Sequence, residues 1–206
     1  MDHRDHVGLI RAGLTPELAG CRWLELGAGE GAFTLALADL LGEGAGIVAV
    51  DRDAAALGRL AGEMGRRFPG TRLETRRGDF RDALPAGPFD GVLAANSLHF
   101  VNDPVDVLRR AREVIVPGGR LIVVEYDADR GNAWVPHPFS AGRFTALAIA
   151  AGYVEPRKLG RVPSRFLDAI FAVAADVPRV RERPGDAWTA SRTVLHSRPH
   201  GGDREE

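Results

Sequence analysis

From residue 23 to residue 151, apolar runs of strand length alternate with stretches of helical period, and this alternation constrains the fold more than any other feature. Trp23–Leu26 reads as a strand, and Phe33–Leu41 as a helix stopped by Gly42 and Gly44. Ile47–Val50 is a short buried strand ending in Asp51. Asp53–Arg67 is a second helix, closed by Pro69–Gly70. Thr71–Arg76 alternates as a strand, and Phe89–Ala95 is strongly apolar. Asp103 can cap a helix that carries Pro104 in its first turn and runs to about Ile115. Pro117–Gly118–Gly119 turns the chain into Leu121–Glu125, a further buried strand. Ser140–Ala151 reads as a helix with Gly152 at its end. Continuous apolar strands separated by helices predict a doubly wound α/β fold, a mostly parallel sheet covered on both faces. Ligands of such sheets sit at the carboxyl ends of the strands, so the loops after Leu26, Val50, Arg76, Ala95 and Val124 should share one rim.

The expected organisation is a helical extension over residues 1–20, one α/β domain over 21–175, and a poorly ordered polar tail over 176–206. The 206 residues can bury one sizeable core. A net charge of −1 gives no bulk attraction to a polyanion, so a nucleic-acid partner is disfavoured. The tail balances acids and bases and reads as a solvated extension. Cys21 is the only cysteine, which excludes an intrachain disulfide and a cysteine metal cluster and fits a reducing, cytoplasmic setting. No stretch approaches the roughly 20 apolar residues of a membrane span, and residues 1–20 lack a leader's continuous apolar core. His3 and His6, three apart near the start, make a poor metal site.

The first strand runs into "LELGAGEGAF", residues 24–33, three glycines in five positions with Glu25 two residues before them. Glycines here let backbone amides approach a ligand and turn sharply into a helix, which is nucleotide-binding logic. Gly27–x–Gly29–x–x–Ala32 also satisfies the loose dinucleotide pattern. Asp51, about 20 residues on, can take two hydrogen bonds from ribose hydroxyls, or it can serve as a helix cap in the Asp51–Arg52–Asp53 turn. Glu25 discriminates between ligands. A carboxylate at a buried strand end repels a pyrophosphate and welcomes an ammonium group, so the loop favours an amino-acid-bearing nucleoside. The plainer alternative pairs Glu25 with a structural arginine or the loop amides.

In these residues the chain resembles the class I S-adenosylmethionine-dependent methyltransferases, small-molecule branch, over about Trp23 to Ala174. "LELGAGEGAF" is similar to that family's glycine loop and "VAVDRD" to its second strand with the ribose-binding acid. "RRGDF" is similar to its adenine-contacting segment, in which Asp79 would take the exocyclic amine and Phe80 would pack on the ring. "FDGVLAANSLHFV" and "VLRRAREVIVPGGRLIVVEYD" resemble its fourth strand and its Pro-Gly-Gly turn with the fifth strand. The resemblance implies S-adenosyl-L-methionine as cofactor, held by Glu25, Gly27, Ala28, Gly29, Asp51, Arg52, Asp79, Phe80, Asn96 and Ser97. It also implies a seven-stranded sheet with an antiparallel last strand. Phe166–Ala174 would be that strand, a terminal helix being the alternative. The fourth-strand exit reads Asn96–Ser97 and lacks the Asn/Asp-Pro-Pro-aromatic motif of the branch that methylates amines in nucleic acids and proteins.

A sulfonium methyl is already activated, so the protein must mainly align a nucleophile behind it and exclude water. His99 is the candidate base, against the plainer reading of a histidine packed on the rim. The loop "EYDADRGNAWVPHPFS" offers Tyr126, Asn132 and Trp134 as a substrate wall for a small-molecule acceptor. Two other functions fit parts of the pattern. A nicotinamide-dependent oxidoreductase would need a Tyr-x-x-x-Lys pair, and the only lysine, Lys158, stands outside that spacing. A non-catalytic cofactor binder would keep the same loop.

Overall fold

The computed structural model describes residues 1–15, 21–164 and 166–179. Helix α1 spans His3–Arg11, followed by β1 (Arg22–Leu26), α2 (Ala32–Leu41), β2 (Gly46–Asp51), α3 (Ala54–Arg67), β3 (Arg72–Arg77), β4 (Phe89–Ala95), α4 (Val105–Val114), β5 (Ile115–Tyr126), α5 (Ala141–Ala150), β6 (Val154–Pro163) and β7 (Ala169–Asp176). One turn of 3-10 helix, Leu98–Phe100, follows β4. Among the described residues no helix is long and apolar enough to cross a membrane.

The strands form one sheet in the order β3-β2-β1-β4-β5-β7-β6. The β1 pairs with β2 and β4, and the β2–β3 and β4–β5 pairs, are parallel. Strand β7 inserts antiparallel between β5 and β6. Strand alternation divides the core into two layers. Leu24, Leu26, Val92 and Val123 face α4 and α5, which contribute Leu108, Ala111, Phe144 and Ala148. Trp23, Ile47, Leu93 and Ile122 face α1, α2 and α3, which contribute Ile10, Leu37, Leu60 and Met64. Glu25, lying between Leu24 and Leu26 on the strand, therefore points into the second layer.

The order of connection reverses between β1 and β4, with β2 and β3 to one side and β5 to the other. The carboxyl ends of β1 and β4 flank the crevice where a doubly wound sheet takes its ligand. The loops of that crevice are the glycine bend after Leu26 and Asn96–Ser97 after Ala95.

Three boundaries differ from expectation. Pro117–Gly118–Gly119 does not separate two elements. The strand begins at Ile115 and absorbs these residues as an irregularity, with Phe89 opposite Ile115 and Gly91 opposite Arg120, and Gly118 at φ 81°. The last strand starts at Ala169, not Phe166, because a turn closed by the Ser164 amide on the Asp168 carbonyl (3.1 Å) precedes it. Asp176, expected to open the tail, ends β7 instead. Its carboxylate takes Arg120 Nε at 2.7 Å and Arg157 Nη1 at 2.8 Å. The rest of the expected tail, from residue 180 and including His196 and His200, lies outside the described residues, as do residues 16–20. Helix α1 starts on a capping box between Asp2 and Asp5 and buries Val7, Leu9 and Ile10 in the same core as α2.

Candidate active site

Gly27, Gly29 and Gly31 all have positive φ, at 73°, 54° and 88°. They differ in what surrounds them. A Cβ on Gly27 would lie 2.5 Å from Ser97 Cβ, and one on Gly31 would lie 2.2 Å from Leu60 Cδ1. A Cβ on Gly29 would meet nothing within 4 Å. The first and third glycines thus permit close packing, and the second presents bare backbone to open space. The Gly27 and Ala28 amides donate to the Val50 carbonyl at 2.9 and 3.0 Å, which fastens the bend to β2. Ala28 is buried in the core and does not line the cleft.

Asp51 joins two turns. Its Oδ2 accepts from the Gly29 amide at 2.8 Å and its Oδ1 from the Asp53 amide at 2.9 Å. The helix cap itself is Asp53, which accepts from the Ala55 and Ala56 amides. Each Asp51 oxygen keeps a further lone pair for a ligand hydroxyl.

Beside the bend opens a cleft of about 250 Å³. Gly27, Gly29, Asp51 and Arg52 line one side, and Phe80, Asn96 and Ser97 the other. Gly78 and Phe100 also line it, and nothing in the sequence singled them out. Asp79 does not line it. Both its oxygens are taken by Arg81, with Nε at 2.9 and 3.0 Å, and Arg52 Nη1 stands 4.0 Å away. Those guanidinium contacts hold the Asp79 carboxyl down at about 2.

Glu25 is buried at 1% exposure beneath the loop and does not itself line the cleft. The hydroxyl of Thr34, in the first turn of α2, donates to its Oε2. Among the described residues no arginine pairs with it. Burial pushes its carboxyl up to about 8, the nearby Asp51 charge adds to that rise, and the Thr34 hydrogen bond opposes it.

The fourth-strand exit carries two orphaned atoms. Among the described residues, Asn96 Oδ1 and Ser97 Oγ are buried without a hydrogen-bond partner. Asn96 is also held at φ 49°, a left-handed conformation uncommon outside glycine. Its amide donates to the Val124 carbonyl at 2.8 Å.

A second cavity, of about 670 Å³, opens beyond Asn96. Its walls include Asp5 and His6 of α1, Tyr126 at the end of β5, and Pro163, Phe166 and Ile170 around the β6–β7 connection. Phe166 is 66% exposed at this rim, outside the strand to which the sequence assigned it. The wall expected from the loop after β5 is only partly present. Tyr126 lines the cavity, but Asn132 and Trp134 do not. Asn132 spends its side-chain oxygen on the Trp134 and Val135 amides, both at 2.9 Å, and Trp134 is 76% exposed. Short-range turn chemistry claims the first, and nothing buries the second.

His99 is buried at 3% exposure and lines neither cavity. Its ring stands 4.2 Å from that of Phe100 and 5.6 Å from that of Tyr126, centroid to centroid, so it backs a wall residue of each space. Its Nδ1 is 2.8 Å from Glu125 Oε2. Glu125, fully buried, also accepts from the Leu98, His99 and Tyr126 amides. A pairing across 26 residues has no local signal.

A profile described as a methyltransferase domain matches residues 24–121. The arsenite methyltransferase of Aquipseudomonas alcaligenes is 31% identical over 205 residues, covering 90% of this chain and 56% of that protein. The nocamycin O-methyltransferase of Saccharothrix syringae is 34% identical over 173 residues, covering 68% of this chain and 61% of that protein. Residues 24–121 thus form a methyltransferase domain, and the fold is that of the class I S-adenosylmethionine-dependent methyltransferases. The arsenic(III) S-adenosylmethionine methyltransferase of Chlamydomonas reinhardtii shares the fold, with a TM-score of 0.64, 21% identity, and coverage of 87% of this chain and 74% of that one. The chain spans less than two thirds of the length of the curated relatives it matches.

S-adenosylmethionine is the cofactor of such methyltransferases, and the residues of this one fit it. Open backbone at Gly29, free lone pairs on Asp51, the apolar face of Phe80 and the orphaned Ser97 hydroxyl offer contacts for a nucleoside with an amino-acid arm.

Proposed function

We propose that this methyltransferase moves a methyl group from S-adenosyl-L-methionine to a small-molecule acceptor by in-line displacement. One observation carries the reading: the cleft at the sheet's switch point opens beside a larger cavity, and Asn96 lines both. A cofactor in the first and an acceptor in the second would meet there.

When bound, the cofactor supplies a methyl group already activated by its sulfonium. The chain's own residues then have four tasks. Asp51 and Phe80 hold the ribose and adenine. Asp79, now paired with Arg81 beside the cleft, would take the exocyclic amine. Glu25, buried beneath the bend, would answer the ammonium end with its charge, its proton passing to solvent. The walls around Tyr126 and Asn96 exclude water and align the acceptor. A hydroxyl acceptor must also lose a proton. His99 is the proposed proton acceptor: with Nδ1–H donated to the Glu125 carboxylate, the basic lone pair sits on Nε2, behind the Phe100 and Tyr126 walls.

The acceptor proposed is not arsenite. Trivalent arsenic is a soft centre captured by thiolates. Cys21, the only cysteine, lies at the amino end of β1, across the sheet from the site. An oxygen or nitrogen nucleophile fits the walls better. The lone cysteine also suits the reducing cytoplasm, which we propose as its setting.

Titration calorimetry tests the cofactor assignment: S-adenosylhomocysteine binds and NADH does not. Incubation with methyl-labelled cofactor and a small-molecule extract tests turnover. Saturable binding with no transferred label would reduce the chain to a cofactor binder.

A further inference from the structure

Asn96 combines three features found together at no other described residue. It lines both the cofactor cleft and the larger cavity. Its side-chain oxygen is buried without a partner. Its backbone is held at φ 49°. A buried carbonyl without a partner forfeits a hydrogen bond, and left-handed backbone is uncommon outside glycine, even though asparagine tolerates it better than most residues. Such costs persist where function needs the arrangement. Ser97 has an orphaned oxygen too, but it lines the cofactor cleft alone.

The larger cavity has the size of a small-molecule site, about 670 Å³. Tyr126 and Phe166 both line it, edge to face with ring centroids 6.5 Å apart, and Pro163 and Ile170 add apolar surface. These walls suit a planar apolar body.

We propose that Asn96 is an acceptor-binding residue that selects a proton-bearing nucleophile. The acceptor is a small planar phenol or aryl amine lodged against Tyr126 and Phe166, and its O–H or N–H donates to Asn96 Oδ1 beside the cofactor cleft. This inference rests on the methyl-transfer reading. The physics of the selection is asymmetric. A site built around a hydrogen bond rejects an analogue that lacks the donor, because the carbonyl is then left unpaired. An aryl ether product also lacks that donor, so the same oxygen disfavours the methylated product.

The test uses ligand-observed NMR with a fixed panel of small planar phenols and anilines, each matched with its methyl ether or dimethylamine. Binding is measured on the ligand-free protein and again with saturating S-adenosylhomocysteine. Wild type binds the proton-bearing members at least about tenfold more tightly than their methylated partners. Asn96→Gly, which keeps the left-handed backbone without strain, abolishes that preference. Asn96→Asp, which keeps an acceptor oxygen there, retains it. Each variant is compared at its own saturating S-adenosylhomocysteine concentration, so the preference is read with the cofactor cleft filled. Three results overturn the proposal: no preference in wild type, a preference unchanged in Asn96→Gly, or a tenfold loss of S-adenosylhomocysteine affinity in Asn96→Gly, which would make Asn96 a cofactor residue. A wild-type chain that binds no S-adenosylhomocysteine overturns the methyl-transfer reading instead, and the panel on ligand-free protein still reads out Asn96.

Discussion

Glu125 holds His99 by two hydrogen bonds and the preceding Leu98 by a third. Its Oε2 is 2.8 Å from His99 Nδ1, and its Oε1 accepts from the Leu98 amide at 2.8 Å and the His99 amide at 3.2 Å. One carboxylate therefore fixes both the ring and the 3-10 turn that carries it. Removing the ring separates its proposed chemistry from this structural work. His99→Ala should lower turnover at least about tenfold while cofactor affinity stays within about threefold, measured by label transfer and calorimetry on the same sample. Unchanged turnover would leave His99 as a packed wall residue.

Glu25 should make the ligand-free chain sensitive to pH. A carboxyl raised from 4.5 to about 8 is neutral in the folded chain and ionised in the unfolded chain at intermediate pH. Its contribution to stability is complete below pH 4.5 and is lost progressively as pH rises through about 8, reaching on the order of 3 kcal/mol at neutrality. Glu25→Gln keeps the oxygen that Thr34 donates to and removes the titration. Its melting temperature should lie close to wild type at about pH 5 and exceed it by about 10 °C at about pH 8.

The same variant should bind S-adenosylhomocysteine about tenfold more weakly, because an amide cannot answer an ammonium group with charge. Wild-type affinity should rise from about pH 6 to about pH 8 as the proton becomes easier to release. Calorimetry in two buffers of different ionisation enthalpy would detect that proton directly. A flat pH profile without proton release would remove Glu25 from the cofactor's amino end.

Arg81 and Asp79 should behave unequally despite their pairing. Arg81→Ala leaves the Asp79 oxygens open to the adenine amine, so S-adenosylhomocysteine affinity should change by less than about threefold. Asp79→Ala removes the acceptor and should weaken it about tenfold. Equal losses would mean that the ion pair shapes the loop and does not touch the base.

The glycines of the bend predict a contrast as well. Gly29→Ala meets no atom but occupies φ 54°, so it should cost about 1–2 kcal/mol of stability and also impair cofactor binding. Gly31→Ala adds a collision with Leu60 Cδ1 at 2.2 Å to φ 88° and should cost roughly 3 kcal/mol or more. Chemical denaturation ranks the two. Trp134→Ala, at an exposed residue outside both cavities, should change neither stability nor turnover measurably.

Much of the fold was written locally. Continuous apolar strands, glycine and proline stops and the Asp53 cap specify the order of elements and the parallel, two-faced sheet through short-range preferences and period. The glycine bend and Asp51 were legible for the same reason, since few backbones other than glycine turn so sharply behind a buried strand. Tertiary structure alone decided the rest. It set Glu125 against His99 across 26 residues, carried α1 and the β6–β7 connection to one cavity wall, and left Asn132 and Trp134 outside it. It also put Asn96 on the boundary of two spaces. Which side chains meet across a sheet depends on strand order and on solvent exclusion over long sequence separations. A one-dimensional pattern carries the period of each element but not the partner that buries it.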